Sequence, residues 1–253
     1  MCIPKVTLCP CTISAREGLA PPSGPAREGC VQGRQHEVSR LEGFSDAVFG
    51  FALTLLVVSL DVPKTVDELK LLVRGSVPFA LMFAMVCYIW WEHNKFFRRY
   101  GLQNAWTAFV NSALLFVVLF YVYPLKFLTM NVVGPVFGLP GAGIRGDTRF
   151  VMQIYSAGAG LTFGMLALLY VHAWRLRHLL QLDRSELVTL RFGLQAQLIS
   201  TGLAIVSIGL TFVMKEEMMW VPGVLYGLMG PLHGMNGYFA GAAHARLKIA
   251  SPV

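Results

Sequence analysis

Six stretches of mostly apolar residues, separated by short polar segments, run through the chain from about residue 44 onward. Each is close to the roughly 20 residues that an α-helix needs to cross the bilayer hydrocarbon. None has the alternation of apolar and polar positions that is typical of a membrane β-strand. The pattern therefore predicts an all-α membrane protein with six transmembrane helices in each subunit. Their expected bounds are about Phe44–Leu60, Leu71–Trp91, Trp106–Leu128, Met152–Trp174, Leu194–Met214 and Met218–Ala243.

The segment before the first helix has a different character. It is rich in Pro, Gly, Arg and Ser, lacks apolar periodicity, and contains four of the five cysteines. We expect residues 1–38 to form a disordered or loosely ordered cytoplasmic tail, residues 39–248 the six-helix domain, and residues 249–253 a short C-terminal tail. Cys9-Pro-Cys11 lacks the spacing of a zinc site and no histidine pair follows it, so no metal site is expected.

Composition excludes the soluble enzyme classes. Of the 253 residues, 55% are apolar and only 14% are charged, with a mean hydropathy of +0.57. An ordinary soluble domain has about 45–50% apolar and about 25% charged residues. The sequence also lacks a nucleotide-binding glycine loop and the HExxH and GxSxG motifs, so we expect neither an enzyme nor a cofactor.

The positive charges predict the orientation in the membrane. The net charge is +7, but the basic residues lie between the apolar stretches, a pattern typical of loops beside anionic lipid rather than of nucleic-acid binding. With a cytoplasmic N-terminus, 14 of the 21 Lys and Arg residues fall inside. An even number of helices then also places the C-terminus in the cytoplasm.

The first helix has two distinct faces. At 100° per residue, one stripe carries large apolar side chains and a threonine, whereas Ser45 and Asp46 point away from it. Polar groups in lipid must find hydrogen-bond partners, so this second face should pack against neighbouring helices. The members of the stripe are Arg40, Phe44, Ala47, Phe51, Thr54, Leu55 and Val58.

Partners for the polar face occur at the same depth on the next two helices. His93 lies near the cytoplasmic end of the second helix and Asn111 near the start of the third, so a cluster of Ser45, Asp46, His93 and Asn111 is expected. For His93, structural hydrogen bonding and proton sensing both stay open. Trp90 and Trp91 are expected in the aromatic belt of the membrane interface.

The segment Arg40-Leu-Glu-Gly-Phe44-Ser45-Asp46 is an RxxxFSD motif that leads directly into a membrane helix. It closely resembles the first helix of the transmembrane protein 175 family of potassium channels, in its single-repeat prokaryotic form. The similarity extends to Trp90, His93, Asn111 and the later Tyr-Val-Tyr-Pro124, so it covers about residues 40–126.

The resemblance implies a pore that composition alone does not indicate. Such channels conduct K⁺ along the first helix of each repeat, without a TVGYG filter loop, and none occurs here. It implies a homotetramer with helix one around a central axis, lined at the positions of Phe51, Thr54, Leu55 and Val58. The motif residues Arg40, Ser45 and Asp46 would hold helix one in place through hydrogen bonds.

One position departs from the family pattern. The narrow hydrophobic ring lies five residues after the motif aspartate, where relatives usually have Ile or Leu and this chain has Phe51. Four phenyl rings would close the pore more tightly or act as gates, and their faces attract cations.

The sequence thus predicts a passive, potassium-selective channel in a prokaryotic plasma membrane, with lipids, K⁺ and further copies of itself as partners. The alternative is a proton-conducting or proton-coupled carrier, which Asp46 and His93 on one side of the membrane suggest. A third possibility is a non-conducting membrane scaffold, supported by the glycines of helix six.

Overall fold

The computed structural model describes residues 38–60, 62–141, 143–144 and 146–250, with side chains up to residue 247. The predicted tails, residues 1–37 and 251–253, therefore lie outside the described residues. Within these, the chain forms eight α-helices and no strand: α1 Arg40–Val58, α2 Val66–Arg74, α3 Ser76–Tyr100, α4 Ala105–Val132, α5 Thr148–Arg175, α6 Arg184–Val213, α7 Trp220–Val224 and α8 Met229–Ala250. Three short 3₁₀ turns span Gly134–Phe137, Glu216–Met218 and Leu225–Leu228.

Polar side chains define where α1, α4 and α5 begin. Ser39 and Glu42 form a capping box at α1, in which each side chain accepts a hydrogen bond from the backbone N–H of the other residue. Asn104 caps α4 and Asp147 caps α5 through the backbone N–H three residues later. These contacts satisfy backbone donors that the helices themselves leave unpaired.

Membrane-spanning helices are confirmed, and the all-α prediction with them. Among the described residues, four helices are long and apolar enough to cross a bilayer, namely α1, α4, α5 and α6. The pair α2 and α3, bent by 43°, makes a fifth if it is one span.

Two of the predicted spans are interrupted. The second is bent at Gly75, because Pro78 has no N–H to donate to the carbonyl of Arg74. The sixth is divided into α7, the turn Leu225–Leu228 and α8, where Pro231 lies in the first turn of α8. Each of these two expected spans is thus divided between two helices, α2 and α3 for the second and α7 and α8 for the sixth.

Hydrogen bonds from side chains join the start of one long helix to the end of the next. At one end of the bundle, Asn104 at the start of α4 contacts His172 near the end of α5, at 2.8 Å. At the other end, Arg149 at the start of α5 donates to the carbonyl of Met214 after α6, at 3.1 Å. Consecutive long helices therefore run in opposite directions, as a chain that crosses a membrane repeatedly requires.

The helices divide into two packing groups that share α4. One group places α1 against both α3 and α4, and the other packs α5 along α6 with α8 on its far side. Glycines allow close approach at two crossings, because the ring of Tyr121 lies on Gly158 and that of Tyr170 lies on Gly193. Such small residues are typical of helix–helix contacts in membranes.

We predict that Gly158→Ala destabilises the protein by about 1–3 kcal/mol, the usual range for overpacking a closely packed core. A Cβ atom at Gly158 would overlap the Tyr121 ring, which is buried and donates through its hydroxyl to the carbonyl of Tyr155. Thermal unfolding of purified protein in detergent measures the effect.

Gly202→Ala provides the matched control, because a Cβ atom at Gly202 has no neighbouring atom within 4 Å. It should leave the unfolding temperature unchanged or raise it slightly, since alanine favours helix. Equal unfolding temperatures for the two variants would contradict the close α4–α5 contact.

Candidate functional site

One face of α1 is left uncovered by the rest of the protomer. The side chains of Phe51 and Val58 are 68% and 79% exposed. The whole stripe expected from the sequence is exposed, which comprises Arg40, Phe44, Ala47, Phe51, Thr54, Leu55 and Val58. An apolar face of this extent marks a surface that contacts lipid, another protein or a passage.

Thr54 is the polar side chain within the apolar part of this stripe. Its hydroxyl donates to the carbonyl of Phe51 at 2.8 Å. The hydroxyl proton is thereby used within the helix, and the lone pairs of the oxygen stay available to a ligand on the exposed face. Thr54 therefore presents an oxygen acceptor one turn from the phenyl ring of Phe51.

The opposite face of α1 is anchored by Asn111. The amide nitrogen of Asn111 donates to the hydroxyl of Ser45 at 2.9 Å, and its amide oxygen lies 2.7 Å from Nε2 of His93. Ser45 in turn donates to the carbonyl of Leu41 at 2.8 Å. The side chains of Ser45, His93 and Asn111 are all buried, so the amide of Asn111 connects α1, α3 and α4 through hydrogen bonds inside the protein.

The bonds of Asn111 assign the proton on His93. Because the amide oxygen of Asn111 is an acceptor, Nε2 of His93 carries the hydrogen and donates it. The imidazole lies between Phe49 and Phe97, with ring centroids at 5.5 and 4.5 Å. Within the described part of the chain, Nδ1 of His93 has no hydrogen-bond partner.

Asp46 does not join this cluster. Its carboxylate accepts a hydrogen bond of 2.7 Å from the indole nitrogen of Trp90. The structure thus brings Ser45, His93 and Asn111 together and places Asp46 beside a residue that the sequence assigned to the aromatic belt. Trp90 precedes His93 by three residues on α3, and that spacing was the available signal. Trp91 is 55% exposed.

A buried acidic residue on α3 was missed by the sequence reasoning. Glu92 is buried, and its carboxylate accepts from Lys95 at 2.6 Å and from the amide of Gln197 on α6 at 3.1 Å. It connects the two packing groups of helices near one end of the bundle.

In the part of the chain that the structure describes, no three His, Cys, Asp or Glu side chains are grouped to hold a metal ion.

Comparison with known proteins identifies the family. Residues 40–121 match the family model described as endosomal/lysosomal potassium channel TMEM175. A potassium channel of Marivirga tractuosa is 35% identical over 190 residues, covering 71% of this chain and 77% of that protein. The chain belongs to the TMEM175 family. All residues of the α1 face and its anchors, from Arg40 to Asn111, lie inside the matched segment.

Two further comparisons extend the similarity along the chain. A crystal structure of a variant of the potassium channel MtTMEM175 superposes with a TM-score of 0.70 at 32% identity, covering 87% of this chain and 99% of that one. A potassium channel of Chamaesiphon minutus is 28% identical over 192 residues, covering 70% of this chain and 89% of that protein. The shared fold therefore extends beyond α4 to the second group of helices.

Trp90→Phe is expected to destabilise this TMEM175 protein by about 1.5–3 kcal/mol, the range for a hydrogen bond to a charged group. The substitution keeps an aromatic ring and removes the N–H that the Asp46 carboxylate accepts. Thermal unfolding in detergent is again the measurement.

Trp91→Phe is the matched control on the adjacent, exposed position and should have little effect. If both variants unfold at the temperature of the unsubstituted protein, the Asp46–Trp90 bond does not hold α1. Equal losses in both variants would instead indicate a general requirement for tryptophan at the membrane interface.

Proposed function

We propose that this protein is a potassium channel that conducts passively through a pore lined by the exposed face of α1. Its relatives from Marivirga tractuosa and Chamaesiphon minutus are potassium channels, and the chain shares their family. The observation that carries the assignment of the pore is the exposed stripe, in which an apolar surface contains a single hydroxyl at Thr54.

We propose a homotetramer, because one α1 helix supplies only one wall of a pore. Rotational symmetry about a central axis would surround the passage with identical stripes and cover their apolar side chains. Each subunit would cross the membrane six times, with α2–α3 as the second span and α7–α8 as the sixth. The basic residues at the ends of α3, α5 and α8 support cytoplasmic termini and a location in the cell membrane.

Within this pore, Phe51 would form the hydrophobic constriction and Thr54 the nearest oxygen ligands. An apolar ring requires a cation to lose part of its hydration, and a hydroxyl one turn away can replace some of the lost water oxygens. The phenyl faces of Phe51 would add attraction for the cation. Leu55 and Val58 would continue the lining, K⁺ would be the permeant ion, and no cofactor would take part.

The second candidate function is proton conduction or proton-coupled transport. It is favoured by the buried imidazole of His93, whose Nδ1 has no partner among the described residues, beside the pore helix. The contacts of Asp46 disfavour a relay, because the indole of Trp90 donates a hydrogen bond but cannot accept and pass on a proton.

The reversal potential of purified protein in planar bilayers, with K⁺ on one side and Na⁺ on the other at equal pH, tests both functions. A channel for K⁺ should reverse near the K⁺ equilibrium potential with unitary steps. A current that follows an imposed pH gradient and ignores the K⁺ gradient would favour the proton pathway.

For the pore lining, we predict that Thr54→Ala lowers the K⁺/Na⁺ permeability ratio by about three- to tenfold, which corresponds to about 0.7–1.4 kcal/mol. Phe51→Ala should raise the unitary conductance, because the smaller side chain widens the constriction. Both quantities come from the same bilayer recordings.

Val57→Ala is the control on the same helix, since Val57 is 54% exposed but lies off the stripe. It should leave permeability ratio and conductance unchanged. An effect of Val57→Ala as large as that of Thr54→Ala would show that the wrong face of α1 has been assigned to the pore.

A further inference from the structure

A lysine of α4 binds the C-terminal end of α1, whereas Asn111 contacts α1 near its N-terminal end. The ammonium group of Lys126 donates to the backbone carbonyl of Ser59 at 2.8 Å and to its hydroxyl oxygen at 2.6 Å. Ser59 is the C-cap of α1 and directly follows Val58, the last residue of the exposed stripe. The hydroxyl of Ser59 at the same time donates to the carbonyl of Leu56 at 2.7 Å.

The chemistry of this contact suits a helix end. The last carbonyls of an α-helix have no partner within the helix and carry its partial negative charge. The last turn of α1 contains no basic residue, so the cation that complements this charge comes from α4. The two oxygens of Ser59 bind one ammonium group together, which restrains both the position and the direction of the helix end.

The two contacts between α4 and α1 are matched in spacing. Asn111 and Lys126 are 15 residues apart on α4, and Ser45 and Ser59 are 14 residues apart on α1. At about 1.5 Å per residue, both separations are close to 21–23 Å. Between them, the side chains of Phe49, Ala52 and Leu56 on α1 are buried in the core. The helix α4 therefore contacts and supports α1 along nearly its whole length.

We propose that Lys126 is a positioning residue of the pore, which fixes the outer end of α1 and with it the side chains of Leu55 and Val58. This proposal rests on the proposed function, in that α1 is taken to line the pore. Lys126 acts through Ser59 and does not itself contact the permeant ion. Without this contact, apolar packing is what remains among the described residues to hold the last two turns of α1 against α4, and the inner end stays fixed by Asn111.

The first test measures the mobility of α1 without any ion flux. Nitroxide labels are attached at Val57→Cys and, separately, at Gly43→Cys, in full-length protein whose five native cysteines are replaced by serine. Both sites are exposed and lie off the centre of the stripe. Lys126→Met should increase label mobility at position 57 and leave it unchanged at position 43. Lys126→Arg, which retains a donor of positive charge, should restore the mobility of the unsubstituted protein.

Lys70→Met is the matched control, since Lys70 is an exposed lysine on α2 that pairs with Asp67. It removes a charge from the same side of the membrane and should not change either label. Unchanged mobility at position 57 in Lys126→Met, or an equal increase in Lys70→Met, would overturn the proposal.

The second test measures unitary conductance in planar bilayers. Lys126→Met should change it by about twofold or more, because the diameter and lining of a pore set its conduction. Ser59→Ala, which removes only the hydroxyl and keeps the carbonyl, should have a smaller effect and should add nothing in the Lys126→Met background. If Lys126→Met does not assemble, Ser59→Ala alone tests whether weakening the contact between Lys126 and Ser59 changes the conductance.

The two measurements separate the possible failures. If Lys126→Met loosens position 57 while Phe51→Ala and Thr54→Ala leave permeation unchanged, the contact is an anchor but the assigned pore face is wrong. If Phe51→Ala and Thr54→Ala alter permeation while Lys126→Met changes neither mobility nor conductance, the pore assignment stands and the role of Lys126 is overturned.

Discussion

The structure depends on the side-chain amide of Asn111, because it satisfies polar groups from two other helices at a depth where water is scarce. An amide offers both donors and an acceptor, so it can bind the hydroxyl of Ser45 and the imidazole of His93 at once. Leaving any of these groups unpaired in a membrane interior would cost several kcal/mol. The rotation of α1 about its axis is therefore set by polar contacts. The apolar stripe faces away from α3 and α4 as a consequence.

This arrangement reverses the usual relation between polarity and packing. In a soluble protein the apolar face of a helix turns inward because water rejects it, whereas lipid exerts no such force between helices. Here the face with Ser45 and Asp46 turns toward neighbouring helices, and the face with Phe51 and Val58 is left for other contacts. In the proposed pore, a narrow passage lined in this way would resist water and small ions alike, and the single hydroxyl of Thr54 would then influence which cation passes.

The second group of helices is held together by a different means. α5 and α6 approach closely through small residues, with Gly160 beside Ala204, and they pair hydroxyls across the contact, as between Ser156 and Ser207 at 2.8 Å. These contacts are spread along the helices, and the charged Arg149 joins α5 to Met214 at one end. Glu92 bridges to this group through Gln197. The first group, by comparison, concentrates its polar contacts at the two ends of α1, which suits a helix whose position must be accurate.

Periodicity within one helix was enough to define the exposed stripe of α1, because a face depends only on the angle between successive residues. Depth in the membrane was enough to group Ser45, His93 and Asn111. Neither principle could assign Asp46 to Trp90 or Ser59 to Lys126, since those pairs depend on how the helices cross. Composition likewise predicted membrane helices but missed the bend at Gly75, whose cause is the single missing N–H of Pro78. What could not be predicted from the sequence is thus which side chains of different helices form hydrogen bonds with each other. In this chain that choice falls on side chains at helix ends, where a hydrogen bond or a charge can select among several apolar faces that lipid would accept equally well.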